Sequence, residues 1–259
     1  MTTSSKPFNE LFDLGRHSSL FSLISQPNFD HTKIGEEQIR YIFEICDALW
    51  LRHEDPEAPH VGLTSGMCSD GFVDVLRVLR YTQFCQLFAK MLADKFKEYS
   101  QHYARELGQP FWSWSDADWV IGSDHAGATI SYAVAAELQA QHDFTEKGPN
   151  KTQAWKRFAI EPEESVLQVE ELITTTGTLQ AVREGIIAGN PNPVKFLPVA
   201  LTLIHRSAQY EFEGGPILYL AHFDIRTWDS PDVCPLCLGG KSKRITEPKK
   251  HWAELTGQN

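Results

Sequence analysis

The sequence predicts an α/β fold in which an open, mainly parallel sheet is flanked by helices. Two segments carry this prediction, because each reads as a buried strand, a polar loop and a helix in that order. The first begins with the apolar run 119–121, and the second begins with the apolar run 166–173. Two more apolar stretches, 196–206 and 216–225, are typical of further strands and complete a sheet of about five strands.

Composition narrows the class of protein. The chain has 259 residues, of which 42% are hydrophobic, so it can bury a full core without disulfides or a metal. Its formal net charge of -10 argues against a nucleic-acid partner, which favours a basic surface. The sequence has no run long enough for a membrane span, no apolar start typical of a signal peptide, and five irregularly spaced cysteines. We therefore expect no membrane partner and a cytoplasmic location.

The second strand–loop–helix segment carries distinctive chemistry. Its strand ends with the acidic pair Glu170 and Glu171, and a threonine-rich loop then leads into a helix that ends near Gly189. Threonine hydroxyls beside the free N–H groups of a helix start can cradle a phosphate. Paired carboxylates can accept hydrogen bonds from sugar hydroxyls or hold Mg²⁺. Together these groups predict a site for a phosphorylated ribose, and a buried strand followed by a capped helix is the simpler alternative.

The stretch VLQVEELITTTGT, residues 166–178, resembles the phosphoribosyl pyrophosphate signature of type I phosphoribosyltransferases. The resemblance implies a type I phosphoribosyltransferase-like (Rossmann-like) sheet with an N-terminal helical hood region. It also implies that Glu170 and Glu171 bind the ribose hydroxyls and Mg²⁺. The 5-phosphate would bind to the loop formed by Thr174, Thr175, Thr176, Gly177 and Thr178. The family usually carries glycine at the third loop position, where this chain has Thr176 and places its glycine one residue later.

Two other segments resemble the parts of this family that contact the leaving group. The loop after the first strand would bind pyrophosphate through Ser123, Asp124, His125 and Gly127. The stretch 142–165 begins with a composition rich in Gly, Pro, Asn and Lys, which is typical of a mobile loop, and the next strand is expected to start at Lys156. By resemblance this loop closes over the pyrophosphate, so Lys147 and Lys151 are the candidate catalytic residues. A solvated charged surface is the alternative for both lysines.

The stretch HVGLTSGMCSDGF, residues 60–72, resembles a segment near the start of orotate phosphoribosyltransferases that lies beside the base. The candidate base contacts are Ser65, Gly66 and Phe72. A plain glycine turn is the alternative reading of this segment. Three positions lack a positive charge that the orotate enzymes carry, and these are Thr64, Ala126 and Gln180. These losses argue against orotate itself and leave a neutral base or an unusual amine open. We expect the acceptor to be a nitrogenous base of the orotate type or related to it.

The C-terminal tail contains a Cys-x-x-Cys turn, Cys234 and Cys237, followed by a basic segment. A closed zinc site needs four ligands, so this pair would need help from His222, His251 or a second subunit. Zn²⁺ is therefore a second candidate metal beside Mg²⁺. The pair does not open a helix after a first strand, which argues against a redox role.

The resemblance predicts an enzyme that displaces pyrophosphate from C1 of phosphoribosyl pyrophosphate with a nitrogenous base. A regulatory protein that binds the sugar phosphate or a nucleotide without turnover is the alternative. We expect an N-terminal arm and helix over 1–60, a phosphoribosyltransferase-like domain over 61–228 and a tail over 229–259. The apolar arm, 1–30, is expected to dock on the domain or on a partner subunit, and with the resemblance it predicts a homodimer.

Overall fold

The computed structural model describes residues 17–26, 28–106 and 116–257, apart from the side chains of residues 17–19 and of Lys151. The α-helices of the described residues are α1 (His17–Ile24), α2 (Glu36–Ile45), α3 (Leu76–Leu79), α4 (Thr82–Glu106), α5 (Ala126–Leu138), α6 (Gly177–Gly189), α7 (Pro235–Leu238) and α8 (Trp252–Thr256). The strands are β1 (Leu49–Leu51), β2 (His60–Gly62), β3 (Cys68–Ser69), β4 (Gly71–Val73), β5 (Trp119–Ser123), β6 (Gln141–Lys147), β7 (Gln153–Ala154), β8 (Ser165–Ile173), β9 (Lys195–His205), β10 (Glu211–Phe212), β11 (Gly215–His222), β12 (Thr227–Trp228) and β13 (Arg244–Thr246). Among the helices described, none has the length and apolar character that crossing a bilayer requires.

The chain divides into two compact units. The first comprises Met1–Ile39 and Leu79–His222, and the second comprises Arg40–Val78 and Phe223–Asn259. The boundaries expected near residues 60 and 228 stay a prediction.

A seven-stranded sheet, in the order β10-β11-β9-β8-β5-β6-β7, forms the centre of the first unit. The five central strands run parallel, and the short edge strands β10 and β7 pair antiparallel to their neighbours. The predicted open, mainly parallel sheet is therefore confirmed.

Helix α6 covers one face of this sheet. Trp119 and Ile121 of β5 pack with Val182 and Ile186 of α6 in a buried cluster. Val120 points to the opposite face because side chains alternate along a strand, and it is also fully buried. Burial on both faces explains why 119–121 is a continuous apolar run rather than an alternating one.

The stretch predicted as a mobile loop contains a strand. Residues from Gln141 to Lys147 form β6, which pairs parallel to β5, and the chain returns through a tight connection to β7. Lys156 lies outside the strands, so it does not start the expected one. Its Nζ lies 2.7 Å from Glu146 Oε2 on β6. The loop prediction was wrong over 142–147, because Asp143 and Thr145 are buried polar residues of a paired strand, at positions where apolar residues are usual.

The N-terminal arm lies outside the described residues up to residue 16. Its described part packs on the start of α4 and on the residue before it, because the ring of Phe21 lies 5.3 Å from that of Tyr81 and 5.0 Å from that of Phe84. Of the two docking positions expected for the arm, the described part occupies the one on its own chain.

The second unit contains a four-stranded sheet in the order β12-β3-β2-β13 and a separate pair, β1 with β4. Strand β13 of the tail runs parallel to β2, so that Arg244 lies opposite His60. A small core of Trp50, Val61, Ile245, Trp252 and Leu255 joins the tail to the segment before α3. The tail is therefore part of this sheet.

Candidate active site

The carboxyl ends of β5 and β8 bring two predicted loops together. These strands are parallel neighbours with Ile121 opposite Gln168, so Ser123 lies beside Glu170 two residues further on. The backbone N–H of Ser123 donates to Glu170 Oε1 at 3.1 Å, and Ser123 Oγ donates to Glu170 Oε2 at 2.8 Å. Ser123 and the acidic pair therefore form one structure at the sheet edge where ligands bind in open α/β folds.

Gly127 permits this close approach. A Cβ atom at this position would lie 2.8 Å from Glu170 Oε2 and 2.9 Å from Ser123 Oγ. Both distances are shorter than Cβ contacts normally are, so any other residue here would displace the Glu170 carboxylate and the Ser123 hydroxyl.

Glu170 is buried, with 2% of its surface exposed. Burial, followed by the neighbouring Glu171 carboxylate, raises the pKa of Glu170 well above its ordinary value, and the two hydrogen bonds from Ser123 oppose that rise. Glu171 is half-buried. The pair thus places two carboxyl groups in a poorly solvated position, where their joint ionisation is favoured only by a partner that brings positive charge or hydrogen-bond donors.

The threonine loop connects β8 to the start of α6. Helix α6 begins at Gly177, so the N–H groups of its first turn are available to an anion. The N–H of Gly177 lies 3.4 Å from Thr175 Oγ1. Thr176 Oγ1 donates to Gln209 Oε1 at 3.3 Å, which turns that hydroxyl toward a neighbouring loop. Thr175 and Thr178 are exposed beside the helix start.

These loops border a cleft of about 510 Å³. It is lined by Ser123, Asp124, Lys147, Gln153, Glu170, Glu171, Leu172, Thr175, Gly177, Thr178 and Ala181. Three of these residues carry carboxylates and one carries an ammonium group, so the lining is negative overall. Such a cleft holds a polyanion only with an added cation.

Other predicted residues lie elsewhere. Thr174 and Thr176 do not line the cleft, and the His125 side chain is 87% exposed, with its Nδ1 3.7 Å from Asp124 Oδ2. The Lys151 side chain lies outside the description.

The predicted base contacts belong to the second unit. Ser65 and Gly66 lie in the turn between β2 and β3, and both are exposed. Phe72 of β4 lines a cavity of about 280 Å³ together with Thr64 and Lys249.

Gln153 was not predicted for the cleft. It lies on β7, in the stretch interpreted as a loop, and with its amide correctly oriented its nitrogen donates to Thr145 Oγ1 at 3.0 Å. Sequence reasoning could have found Gln153 only by recognising residues 148–152 as the turn of a β-hairpin, which would have paired the following residues with β6.

The two histidines expected to help the cysteine pair have other partners. His222 bonds His205 at 3.0 Å between their Nδ1 atoms, and His251 lies 3.6 Å from Glu254. The ligating atoms close to Cys234 and Cys237 belong instead to His60 and Cys68.

No family model matches the chain. An orotate phosphoribosyltransferase of Desulforamulus reducens is 30% identical over 178 residues, which cover 69% of this chain and 82% of that protein. An orotate phosphoribosyltransferase of Caldanaerobacter subterraneus is 28% identical over 207 residues, covering 79% of this chain and 93% of that protein. Among solved structures, the orotate phosphoribosyltransferase of Aeropyrum pernix has a TM-score of 0.48 at 18% identity, covering 70% of this chain and 92% of that one.

Proposed function

The chain belongs to the orotate phosphoribosyltransferase family, and on this premise we propose that it transfers ribose 5-phosphate from phosphoribosyl pyrophosphate to a nitrogenous base, releasing pyrophosphate. Membership makes it an enzyme of the glycosyltransferase class. The observation that carries the proposal is that the acidic pair, the start of α6 and the end of β5 line one cleft. A phosphate, a ribose and a pyrophosphate are the groups that these three elements suit.

The ribose and its phosphate take opposite parts of the cleft in this proposal. Glu170 and Glu171 accept hydrogen bonds from the ribose hydroxyls, because each carboxylate oxygen has lone pairs beyond those used by Ser123. The 5-phosphate binds at the start of α6, where Thr175, Gly177 and Thr178 face the cleft. Two anchored ends fix the sugar between them and so orient its C1.

The residues of the cleft fit a magnesium ion. Asp124, Glu170 and Glu171 provide hard oxygen donors of the kind Mg²⁺ prefers, and they outnumber the lysine in the lining. When bound, Mg²⁺ would neutralise charge on the pyrophosphate. Lys147, at the end of β6, adds a positive charge on the same cleft, and Lys151 is proposed to act with it.

In the reaction, a nitrogen of the base forms a bond to C1 while the bond from C1 to the pyrophosphate oxygen breaks. The electron pair leaves with pyrophosphate, whose growing charge is stabilised by Lys147. The loop that carries Ser123, Asp124, His125 and Gly127 is proposed to border the leaving group, with Asp124 as a ligand of the cation.

The acceptor is proposed to be a base of the orotate type or related to it, contacted by Ser65, Gly66 and Phe72. The cavity beside Phe72 supports a flat, partly apolar group, since Leu63 and Pro248 also line it. Thr64 lacks the positive charge of the orotate enzymes, but Lys249 lines the same cavity, with its Nζ 2.9 Å from Asp74 Oδ1. An acidic base would reach this ammonium group only in competition with Asp74.

Homodimerisation is also proposed, on the family resemblance alone, because the described part of the apolar arm packs on its own chain. Light scattering measures the mass in solution, and a monomer would remove this part of the proposal.

Isothermal titration of phosphoribosyl pyrophosphate with Mg²⁺ tests the proposed site. The wild type should bind with micromolar affinity, the double variant Glu170→Gln, Glu171→Gln should lose that binding, and the exposed control Glu163→Gln should keep it. A wild type that does not bind overturns the proposal.

A further inference from the structure

Four side chains of the second unit converge on one point. They are His60 of β2, Cys68 of β3, and Cys234 and Cys237 of the tail, and their ligating atoms all lie within 4.8 Å of one another. His60, Cys68 and Cys234 are fully buried. We propose that this cluster is a closed zinc site with three thiolate ligands and one imidazole ligand.

The backbone explains how distant residues meet here. Cys68 lies opposite Gly62 in the antiparallel β2–β3 pair, and His60 precedes Gly62 by two residues, so both side chains leave the same face. Cys234 immediately precedes α7, and Cys237 follows three residues later within that helix. This Cys-x-x-Cys spacing is common among structural zinc sites.

The distances suit a tetrahedral ion. Bonds of about 2.3 Å to sulfur and about 2.0 Å to nitrogen place tetrahedral ligands about 3.8 Å apart for two sulfurs and about 3.6 Å apart for nitrogen and sulfur. The Sγ atoms of Cys68 and Cys237 are 3.7 Å apart, and His60 Nε2 lies 3.1 Å from Cys237 Sγ. Adjustments of no more than about 1 Å bring the full set to zinc geometry.

Surrounding hydrogen bonds leave His60 Nε2 free to ligate. The hydroxyl of Ser242 donates its proton to the carbonyl oxygen of Ala58 at 2.7 Å, so its oxygen must accept from His60 Nδ1 at 2.8 Å. Nδ1 therefore carries the ring proton, and Nε2 presents its lone pair to the cysteines. A hydrogen bond at the other ring nitrogen is the usual support of a metal-binding histidine.

Arg244 supplies a positive charge beside the cluster. Its Nε donates to Cys68 Sγ at 3.3 Å, and its Nη2 donates to the carbonyl oxygen of Gly66 at 3.1 Å. Three thiolates and one Zn²⁺ leave a net negative charge, which this guanidinium offsets.

A zinc ion at this site would fix the β2–β3 turn, which carries two of the proposed base contacts. His60 and Cys68 flank the turn that holds Ser65 and Gly66, and the tail cysteines tie both strands to the segment that continues into β13. Zinc thereby sets the conformation of proposed base contacts without touching the base. The zinc proposal itself does not depend on the proposed transferase activity, because it is tested on metal content alone.

Metal analysis of the full-length protein, purified without chelators, tests this proposal. We expect stoichiometric zinc in the wild type and in the control Cys85→Ala, which removes a buried cysteine of the first unit, and loss of zinc in Cys237→Ala. Wild type in which Co²⁺ replaces the metal should show the absorption bands of tetrahedral thiolate coordination, so the result does not rely on a variant that fails to fold.

Ser242→Ala separates a metal site from a packed core. Losing the acceptor of His60 Nδ1 should weaken zinc about 10- to 100-fold in competition with a chelator, whereas a cluster that only packs would show no such change. A wild type without zinc that forms no tetrahedral cobalt complex, or a disulfide between Cys68 and Cys237 in the purified protein, overturns the proposal.

Discussion

Substituting Glu170 by glutamine should stabilise the protein without ligand, and the gain should grow with pH. Burial, then the Glu171 carboxylate, raises the pKa of Glu170 well above its ordinary value of 4.5. The folded state therefore holds this proton more tightly than the unfolded state does. The resulting stability is fully present below pH 4.5 and is lost as the pH rises through the raised pKa.

The size of the effect follows from one proton. Between the unfolded and folded pKa values, the wild type loses up to about 1.4 kcal/mol of unfolding free energy per pH unit through this group. Glutamine cannot ionise, and it keeps an oxygen that accepts from the N–H of Ser123. The difference in stability between Glu170→Gln and wild type should thus rise with that slope and level off above the raised pKa.

Urea unfolding from about pH 5 to about pH 8, without Mg²⁺ or substrate, measures this difference. The exposed control Glu163→Gln should track the wild type at every pH. A difference that stays flat across the range, or a variant less stable than wild type at the upper end, would refute the reasoning that burial destabilises the ionised pair.

Three further substitutions have defined outcomes. Gly127→Ala forces a Cβ to 2.8 Å from Glu170 Oε2, so it should lower the unfolding free energy by about 1–3 kcal/mol and reduce sugar-phosphate binding in titration calorimetry. Asn190→Ala removes the side chain that bonds both the N–H and the C=O of Ile160, at 2.7 Å and 2.9 Å, and should cost about 2–4 kcal/mol in urea unfolding. Lys147→Ala removes the ammonium group from the cleft and should weaken pyrophosphate binding about 10-fold or more, with partial recovery in Lys147→Arg.

Matched variants test each of these outcomes. Gly177→Ala places its Cβ 3.5 Å from Thr175 Oγ1, an ordinary contact, so equal destabilisation by Gly127→Ala and Gly177→Ala would contradict the close-approach argument. Asn190→Asp keeps an acceptor for Ile160 N–H but sets an oxygen against the carbonyl oxygens of Ile160 and Asn192, so it should be no more stable than Asn190→Ala at neutral pH. Pyrophosphate affinity that is unchanged in Lys147→Ala would remove this lysine from the site.

The central junction could be predicted from sequence because its information is local. The strand, the acidic pair and the loop before Gly177 are consecutive, and parallel neighbours then bring Ser123 to Glu170 through register alone. The family predicted from residues 166–178 is confirmed, and so is the parallel sheet predicted from the two strand–loop–helix segments.

The parts that were missed depend on distant pairing. Strand β6 has few apolar residues, and its buried positions 143 and 145 are Asp and Thr, so its composition resembled that of a loop. The partners of the cysteine pair are more than 150 residues away in the chain, and only the β2–β3 register shows that His60 and Cys68 share a face. No local pattern carries that information.

Release of pyrophosphate from phosphoribosyl pyrophosphate, measured with Mg²⁺ and a panel of nitrogenous bases, tests the central claim most directly. We predict release that requires one of the bases and that is lost in the double variant of Glu170 and Glu171. Tight binding of phosphoribosyl pyrophosphate without release for any base would contradict the assignment as a transferase and would favour a binding protein.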